Sequence, residues 1–166
     1  MADTSEPLTG PAFAFDEAPR MPRPCSIAAA LRIIGERWTL LAVRELNYGV
    51  HRFDQIAAYT GATRDILASR LRKLEAAGVV ERRLYSEHPP RYEYYLTAAG
   101  DELYPILRGL SEWGDRWAVD APAVAFRHEC GHQVRIDHLC HHCGGPVTRE
   151  TVAPVALRRV DRLTDD

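Results

Sequence analysis

The sequence predicts a mainly α-helical domain that ends in a small β-hairpin, which is an α+β fold class. Two short amphipathic helices are predicted in residues 53–60 and 64–77, on either side of a glycine-containing turn. A hairpin is predicted directly after them, in residues 79–96, where β-branched and aromatic residues are frequent. Helix, turn, helix and hairpin follow one another without spare residues, and this compact order indicates one small folding unit.

Length and composition limit the classes of protein to be considered. A chain of 166 residues with 46% hydrophobic residues can bury one main core, with a small module beside it. The formal net charge is −2, so overall charge does not by itself indicate a polyanionic partner. No apolar run approaches the roughly 20 residues of a membrane span, and no secretory signal is present. We therefore expect a cytoplasmic protein without membrane contact.

The chain divides into four predicted segments. Residues 1–24 contain five prolines and no helical or alternating period, so a disordered leader is predicted there. Residues 25–120 are expected to form the main domain. A Cys/His-rich module is predicted in residues 121–152, and residues 153–166 form a tail.

Two helices are predicted before the central pair. The first begins near Ser26, and its apolar residues recur at helical spacing, at Ile27, Leu31 and Ile34. Gly35 interrupts the pattern, and a second helix is predicted in residues 37–46. In the turn that follows, Gly49 is expected to adopt a left-handed conformation.

The helix predicted in residues 64–77 has one apolar and one polar face. Thr63 is placed to cap its N-terminus, and Asp65 lies in the first turn, where a carboxylate interacts favourably with exposed amides. Helical spacing places Leu67, Leu71 and Leu74 on the core face. It places Asp65, Ser69, Arg72, Lys73 and Ala76 on the opposite face. The polar face is free to contact DNA, although such faces are usually only solvated.

DNA contacts can be assigned along this helix. A recognition helix enters the major groove with its N-terminal residues nearest the base edges. Base reading is therefore assigned to Thr63, Arg64, Asp65 and Ser69. Arg72 and Lys73 lie further along and are assigned to phosphates, where charge sets affinity and salt dependence.

The predicted hairpin completes a winged helix-turn-helix. Its strands are expected in residues 79–85 and 91–96, joined by a tip that contains Pro89 and Pro90. Candidate contacts to the DNA backbone or minor groove are Arg82, Arg83, His88 and Arg91. A helix-turn-helix followed by a basic hairpin predicts sequence-specific binding to double-stranded DNA.

A series of ordered motifs resembles the HxlR-type regulators, bacterial and archaeal relatives of the MarR group. The residues that carry the resemblance are Cys25, 34–41, 44–46, 52–53, 71–80, Tyr85, 89–97 and Gly100. The similarity extends from residue 25 to residue 117. It implies a cytoplasmic homodimer that binds a palindromic operator and regulates transcription, often of its own gene or a neighbouring gene.

A dimerisation helix is predicted in residues 98–118. Thr97 is expected to cap it, and its apolar stripe consists of Leu103, Ile106, Leu107, Leu110, Trp113 and Trp117. Pro105, in the second turn, is expected only to bend the helix. The resemblance implies that this helix and the first helix pair across the dimer axis, with recognition helices roughly 34 Å apart. The alternative is that the stripe packs only on its own domain.

Cys25 is a candidate redox-sensing residue. The resemblance implies a cysteine at the start of the first helix, and some members sense oxidants or electrophiles through it. A helix N-terminus favours the thiolate form. The alternative is an inert, small apolar side chain.

The C-terminal module contains three of the four cysteines and five of the seven histidines. Its 140–144 segment has the Cys-x-x-Cys-Gly form of a zinc knuckle. The predicted ligands of a structural zinc ion are Cys130, Cys140, Cys143 and His128, with His132 and then His138 as alternative fourth ligands. The segment resembles the zinc-ribbon tail of some HxlR-type proteins. A thiol redox switch and an unliganded tail are the alternatives.

Other functions remain as alternatives. Catalysis is not expected, because the sequence contains no nucleophile elbow, P-loop or dinucleotide-binding fingerprint. A winged helix that only docks proteins, or a thiol or metal redox sensor, would fit the same motifs. The sequence does not identify the operator, the sign of regulation or a small-molecule effector.

Overall fold

The computed structural model of the protein describes residues 25–155. The predicted leader, residues 1–24, and the tail from residue 156 onward lie outside the described residues. The chain divides into two compact units. Residues 26–134 form one, and residues 135–155 belong to the other, together with Cys25. The first unit ends at residue 134, which is 14 residues beyond the boundary predicted after residue 120.

Six helices and one two-stranded antiparallel sheet lie in the first unit. They are α1 (Ser26–Ile34), α2 (Arg37–Asn47), α3 (Phe53–Thr60), α4 (Arg64–Ala76), β1 (Val80–Glu87), β2 (Pro90–Leu96), α5 (Ala98–Asp101) and α6 (Tyr104–Trp117). The α+β fold class, mainly helical with a hairpin wing, is confirmed.

The core forms where α2, α3 and α4 meet. Its fully buried side chains include Val43, Ile56, Leu67, Leu71 and Leu74. The three leucines of α4 are those that helical spacing placed on the core face. Burying several branched side chains of this size stabilises the unit by roughly 1.5–3 kcal/mol each relative to exposure. The core thereby fixes the polar face of α4 towards solvent.

Local chemistry sets the ends of the central helices. The Thr63 side chain accepts a hydrogen bond from the Ile66 amide at 3.4 Å, which confirms the predicted N-cap of α4. Gly61 ends α3 with a φ of 72°, and Gly49 follows α2 with a φ of 79°. Both angles lie in the left-handed region, where glycine has no steric penalty.

The wing strands are longer than the sequence predicts. Pairing continues to Glu87 and Pro90, so Pro90 is the first residue of β2. Of the two prolines, only Pro89 stays in the turn. A proline is tolerated at this end of a strand because its missing N–H removes no interior ladder bond. The register shifts between Leu84 and Ser86, which indicates a β-bulge.

The base of the wing is closed by Thr97 and Gly100. The Thr97 hydroxyl donates to the Gly78 carbonyl at 2.6 Å, and its oxygen accepts from the Gly100 amide at 3.3 Å. A Cβ atom at position 100 would lie 2.3 Å from the Val79 carbonyl oxygen. The close approach of α5 to the wing therefore requires glycine at this position.

The expectation of one continuous helix in residues 98–118 is wrong. The helix stops after Asp101, and α6 begins at Tyr104 with Pro105 in its first turn. Proline lacks the N–H that would bond to the carbonyl four residues earlier, and its ring clashes there. In the first turn of a new helix this N–H is not needed. Pro105 therefore marks the start of α6. It does not bend a longer helix, as the sequence analysis expected.

Within residues 25–155, no helix is long and apolar enough to cross a membrane.

Candidate DNA-binding surface

The N-terminal half of α4 presents the predicted base-reading residues to solvent. Thr63, Arg64, Asp65 and Ser69 are all exposed. Arg64 Nη1 lies 2.5 Å from Asp54 Oδ1 in the first turn of α3. Its guanidinium also lies 5.2 Å from the centre of the Phe53 ring. These contacts hold the Arg64 side chain at the junction of the two helices.

A groove of about 530 Å³ lies between this junction and the wing. Its wall consists of Arg52, Phe53, Asp54, Gln55, Arg64, Tyr85, Pro90, Arg91, Tyr92 and Tyr94. Three arginines and one aspartate contribute charge, so the groove is locally basic although the whole chain is not. Its aromatic side chains also offer stacking and hydrogen-bonding surfaces. The groove thus brings the predicted contacts Arg64 and Arg91 together.

Arg52 is a groove residue that the sequence reasoning did not assign to DNA. It is the N-cap residue of α3, and its Nε lies 3.1 Å from Glu93 Oε1. Its place directly before Phe53, in a motif shared with HxlR-type proteins, was the signal that could have identified it.

The wing arginines differ in their partners. Arg82 Nε lies 3.0 Å from Glu75 Oε1, and Arg83 forms a 2.5 Å ion pair with Glu81. Arg91 is exposed and has no ion-pair partner among residues 25–155. Exposed ion pairs contribute little to folding stability. Arg82 and Arg83 can therefore exchange their carboxylate partners for phosphates at a small cost in free energy. His88 is exposed in the turn of the wing.

The wing is held against the segment before α3. The Tyr94 amide donates to the His51 carbonyl at 2.9 Å, and His51 Nδ1 lies 2.8 Å from the Tyr94 carbonyl. The Tyr95 hydroxyl donates to Glu93, which also accepts from Arg52. These two hydrogen bonds lower the pKa of the Glu93 carboxyl, and the one from Tyr95 is the larger cause. The wing is therefore positioned relative to α3 by both backbone and side-chain contacts.

The two predicted phosphate contacts of α4 have different surroundings. Arg72 is exposed, with no ion-pair partner in the described part of the chain. Lys73 is half-buried, and its Nζ lies 3.4 Å from Glu36 Oε1. Arg70 donates to the same carboxylate oxygen at 2.7 Å. Lys73 thus shares a structural ion pair that ties α4 to the start of α2.

Comparison with known proteins assigns the chain to a family. Residues 33–121 match the HxlR-like helix-turn-helix family. The HTH-type transcriptional regulator Rv3095 of Mycobacterium tuberculosis is 42% identical over 132 residues, which cover 78% of this chain and 84% of that protein. The chain belongs to the HxlR family. It is a DNA-binding helix-turn-helix transcriptional regulator.

Solved structures of similar sequence have the same fold. PA1607, a candidate transcription factor, superimposes with a TM-score of 0.69 at 31% identity, over 83% of this chain and 94% of that one. PA1374 of Pseudomonas aeruginosa, also a candidate transcription factor, gives a TM-score of 0.59 at 30% identity, over 82% and 95% of the two chains. The HxlR-family chain is therefore similar to these proteins over most of its length.

The Cys/His segment of this HxlR-family protein contains two tight turns. In the first, the His128 amide donates to the His132 carbonyl at 2.8 Å, and Gly131 has a φ of 89°. Cys130 Sγ lies 3.7 Å from His132 Nδ1. In the second, the Gly144 amide donates to the Cys140 carbonyl at 2.7 Å, and Gly144 has a φ of 69°. In the first turn Cys130 and His132 thus flank a left-handed glycine. In the second turn Cys140 and Cys143 precede one.

The second turn is chemically suited to hold thiolates. The Gly145 amide donates to Cys143 Sγ at 3.4 Å. Backbone hydrogen bonds from Cys143 and then His142 lower the pKa of the Cys140 thiol. Amide donors aimed at both sulfurs stabilise negative charge there, as a metal-bound or reactive thiolate requires.

The predicted zinc ligands are divided between the two units of the chain. Within residues 25–155, no group of three or more His, Cys, Asp and Glu side chains is arranged to hold a metal ion. His128 and Cys130 belong to the first unit, whereas Cys140 and Cys143 belong to the second. Cys25, the predicted redox sensor, is an exposed free thiol directly before α1.

Proposed function

We propose that this HxlR-family regulator acts as a homodimer on a palindromic operator of its own or a neighbouring gene. The observation that supports the homodimer is a set of exposed apolar side chains on α1 and α6. It consists of Ile27, Leu31, Ile106, Leu110, Trp113 and Trp117, and Trp113 and Trp117 are 60% and 70% exposed. Apolar patches of this kind on a soluble chain mark interaction surfaces. A second copy, presenting the same surface, would cover it in an isologous contact.

The predicted stripe of α6 divides between two environments. Leu103 and Leu107 pack against the core of their own domain. The four remaining residues face solvent, so packing within one chain accounts for only part of the stripe. This division favours the dimer over the alternative in which the whole stripe is internal.

The DNA-binding mode follows from the positions of the basic groups. The N-terminal half of α4 would enter the major groove, with Thr63, Arg64, Asp65 and Ser69 near the base edges. The wing would follow the backbone through Arg91 and His88, assisted by Arg82 and Arg83. Arg72 and Lys73 would contact phosphates. Two such domains related by a dimer axis would read half-sites roughly 34 Å apart.

We also propose that the Cys/His segment holds a structural zinc ion. Its ligands would be Cys130, Cys140, Cys143 and His128, with His132 and then His138 as alternative fourth ligands. The amide hydrogen bonds to the sulfurs of the second turn support two of these ligands. When bound, zinc would cross-link segments that have too few buried apolar residues to order themselves.

Fluorescence anisotropy tests the regulator proposal. The full-length protein is titrated into labelled DNA from upstream of its own gene, with unrelated DNA as competitor and with salt varied. We expect selective binding whose affinity falls steeply as salt rises, because phosphate neutralisation releases counterions. Selection of binding sites from a random DNA library would supply an operator located elsewhere. Failure to enrich any sequence in that selection would favour the protein-docking alternative.

A further inference from the structure

An apolar cavity lies in the first unit, between α2, α6 and the segment that contains Phe126. Its volume is about 240 Å³, and it is partly open to solvent. Its wall consists mainly of leucine and aromatic side chains: Leu40, Leu41, Tyr48, Tyr104, Leu107 and Phe126. An apolar cavity of roughly 150 Å³ already binds a benzene ring, so this one can take a single ring with a small substituent. It lies outside the DNA-binding surface described above.

A buried guanidinium forms part of the cavity wall. Arg108, on α6, is only 5% exposed, and its Cζ lies 3.6 Å from the centre of the Phe126 ring. Its Nε and Nη1 atoms are buried and have no hydrogen-bond partner among residues 25–155. Leaving buried donors without a partner is unfavourable. A ligand that accepts hydrogen bonds from Arg108 would recover this free energy.

The cavity wall offers hydrogen-bond donors to a negatively charged ligand group. Two guanidinium groups, of Arg44 and Arg108, line the wall, whereas no carboxylate does. Arg44 is occupied by Glu45 at 2.8 Å. Glu112 Oε1 forms an ion pair with Arg108 Nη2 at 3.5 Å, whereas Nε and Nη1 have no hydrogen-bond partner among residues 25–155. Of the two arginines, Arg108 is therefore the one with buried, unsatisfied hydrogen-bond donors in the described part of the chain.

We propose that this cavity binds a one-ring aromatic carboxylate, with the ring against Phe126 and the leucines and the carboxylate on Arg108. A charge-assisted hydrogen bond is about twice as strong as a neutral one. The apolar wall supplies affinity through burial, and the guanidinium selects the anionic end. Ligand binding at this site does not depend on the proposed operator or on DNA.

Isothermal titration calorimetry of the full-length protein with benzoate tests the site. Benzamide has nearly the same shape without the charge and serves as the control ligand. We expect saturable binding of benzoate, with benzamide weaker by roughly tenfold or more. No saturable binding of benzoate, or equal binding of the two ligands, would overturn the proposal.

Two variants and a matched control locate the binding site. Arg108→Met removes the guanidinium and keeps an unbranched apolar side chain, and we expect it to weaken benzoate binding by roughly tenfold or more while benzamide binding changes little. Ser111→Phe fills the cavity from the same helix, and we expect it to abolish binding of both ligands. Arg116→Met removes an exposed arginine of α6 and should leave both affinities unchanged. Parental benzoate affinity in folded Ser111→Phe protein would place the ligand elsewhere, even if Arg108→Met does not fold.

Discussion

Arg64, the first residue of α4, forms a 2.5 Å ion pair with Asp54 in the first turn of α3. Both side chains are exposed, so the pair contributes little to stability and can open without a large penalty. The pair instead fixes where the guanidinium lies before DNA arrives. The two helices of the helix-turn-helix thus jointly position the side chain that we propose reads the first base.

Arg64→Ala is expected to relax operator preference. Loss of a bidentate contact to a base costs roughly 1–3 kcal/mol of discrimination, with a smaller effect on non-specific DNA. Competition anisotropy with operator and unrelated DNA measures the ratio of the two affinities. Arg116→Ala, on α6, is the matched control and should keep the parental ratio. An unchanged ratio in Arg64→Ala would show that Arg64 does not read bases.

Salt dependence distinguishes the two basic residues further along α4. Arg72→Ala should lower the slope of log affinity against log salt by about 1, because one phosphate contact is lost. Lys73→Ala should weaken binding to all sequences but lower the slope by less, because Glu36 already neutralises part of its charge. Anisotropy titrations over a range of salt concentrations measure both slopes. Parental slopes in both variants would remove these residues from the DNA-binding surface.

Gly100→Ala should destabilise the winged domain by roughly 1–3 kcal/mol, the usual cost of overpacking. The added Cβ would lie 2.3 Å from the Val79 carbonyl oxygen, a backbone atom that cannot move freely. Gly109→Ala is the matched control, since no atom lies within 4 Å of its new Cβ. Improved helix propensity should stabilise that variant by roughly 0.5–1 kcal/mol. Urea denaturation measures both free energies of unfolding, and equal effects would contradict the packing seen at Gly100.

Trp113→Glu should convert the proposed dimer to a monomer. It places a charge in the centre of an apolar interface, where burial without a partner is unfavourable. Sedimentation equilibrium measures the mass. Tyr59→Glu changes another exposed aromatic residue, on α3, and should leave a dimer. A dimeric Trp113→Glu protein would show that the exposed face of α6 is not the interface.

The Cys140→Ser/Cys143→Ser double variant should lose the proposed zinc. Two of four ligands are removed, while the core of the winged domain retains all its buried side chains. Elemental analysis measures bound zinc, and thermal unfolding followed by circular dichroism measures the winged domain. Cys25→Ser is the control and should keep the metal. Parental zinc content in the double variant, or a parent protein that binds no zinc, would contradict the proposed site.

Periodicity and short-range chemistry determined much of the fold in advance. The leucines of α4 recur on one face whatever they pack against, and Thr63 caps a helix through an amide three residues away. The turns at Gly49 and Gly61 need only the conformational freedom of glycine. These features depend on neighbours within one or two helical turns, so the sequence contains the information directly.

Other features depend on residues that are distant in the chain. The sequence showed the apolar stripe of α6, but tertiary packing decided that Leu103 and Leu107 pack against the core. Arg52 became a groove residue because the wing folds back beside α3. Arg108 became a buried donor because Phe126 covers it.

By itself, the sequence determined helices α1 to α4, the wing and the polar face of α4, because propensity and periodicity are local. Only the tertiary structure decided which charges are paired, which apolar residues stay exposed and where a cavity forms. These outcomes depend on distances between side chains far apart in the chain, and burial and Coulomb energies change with those distances.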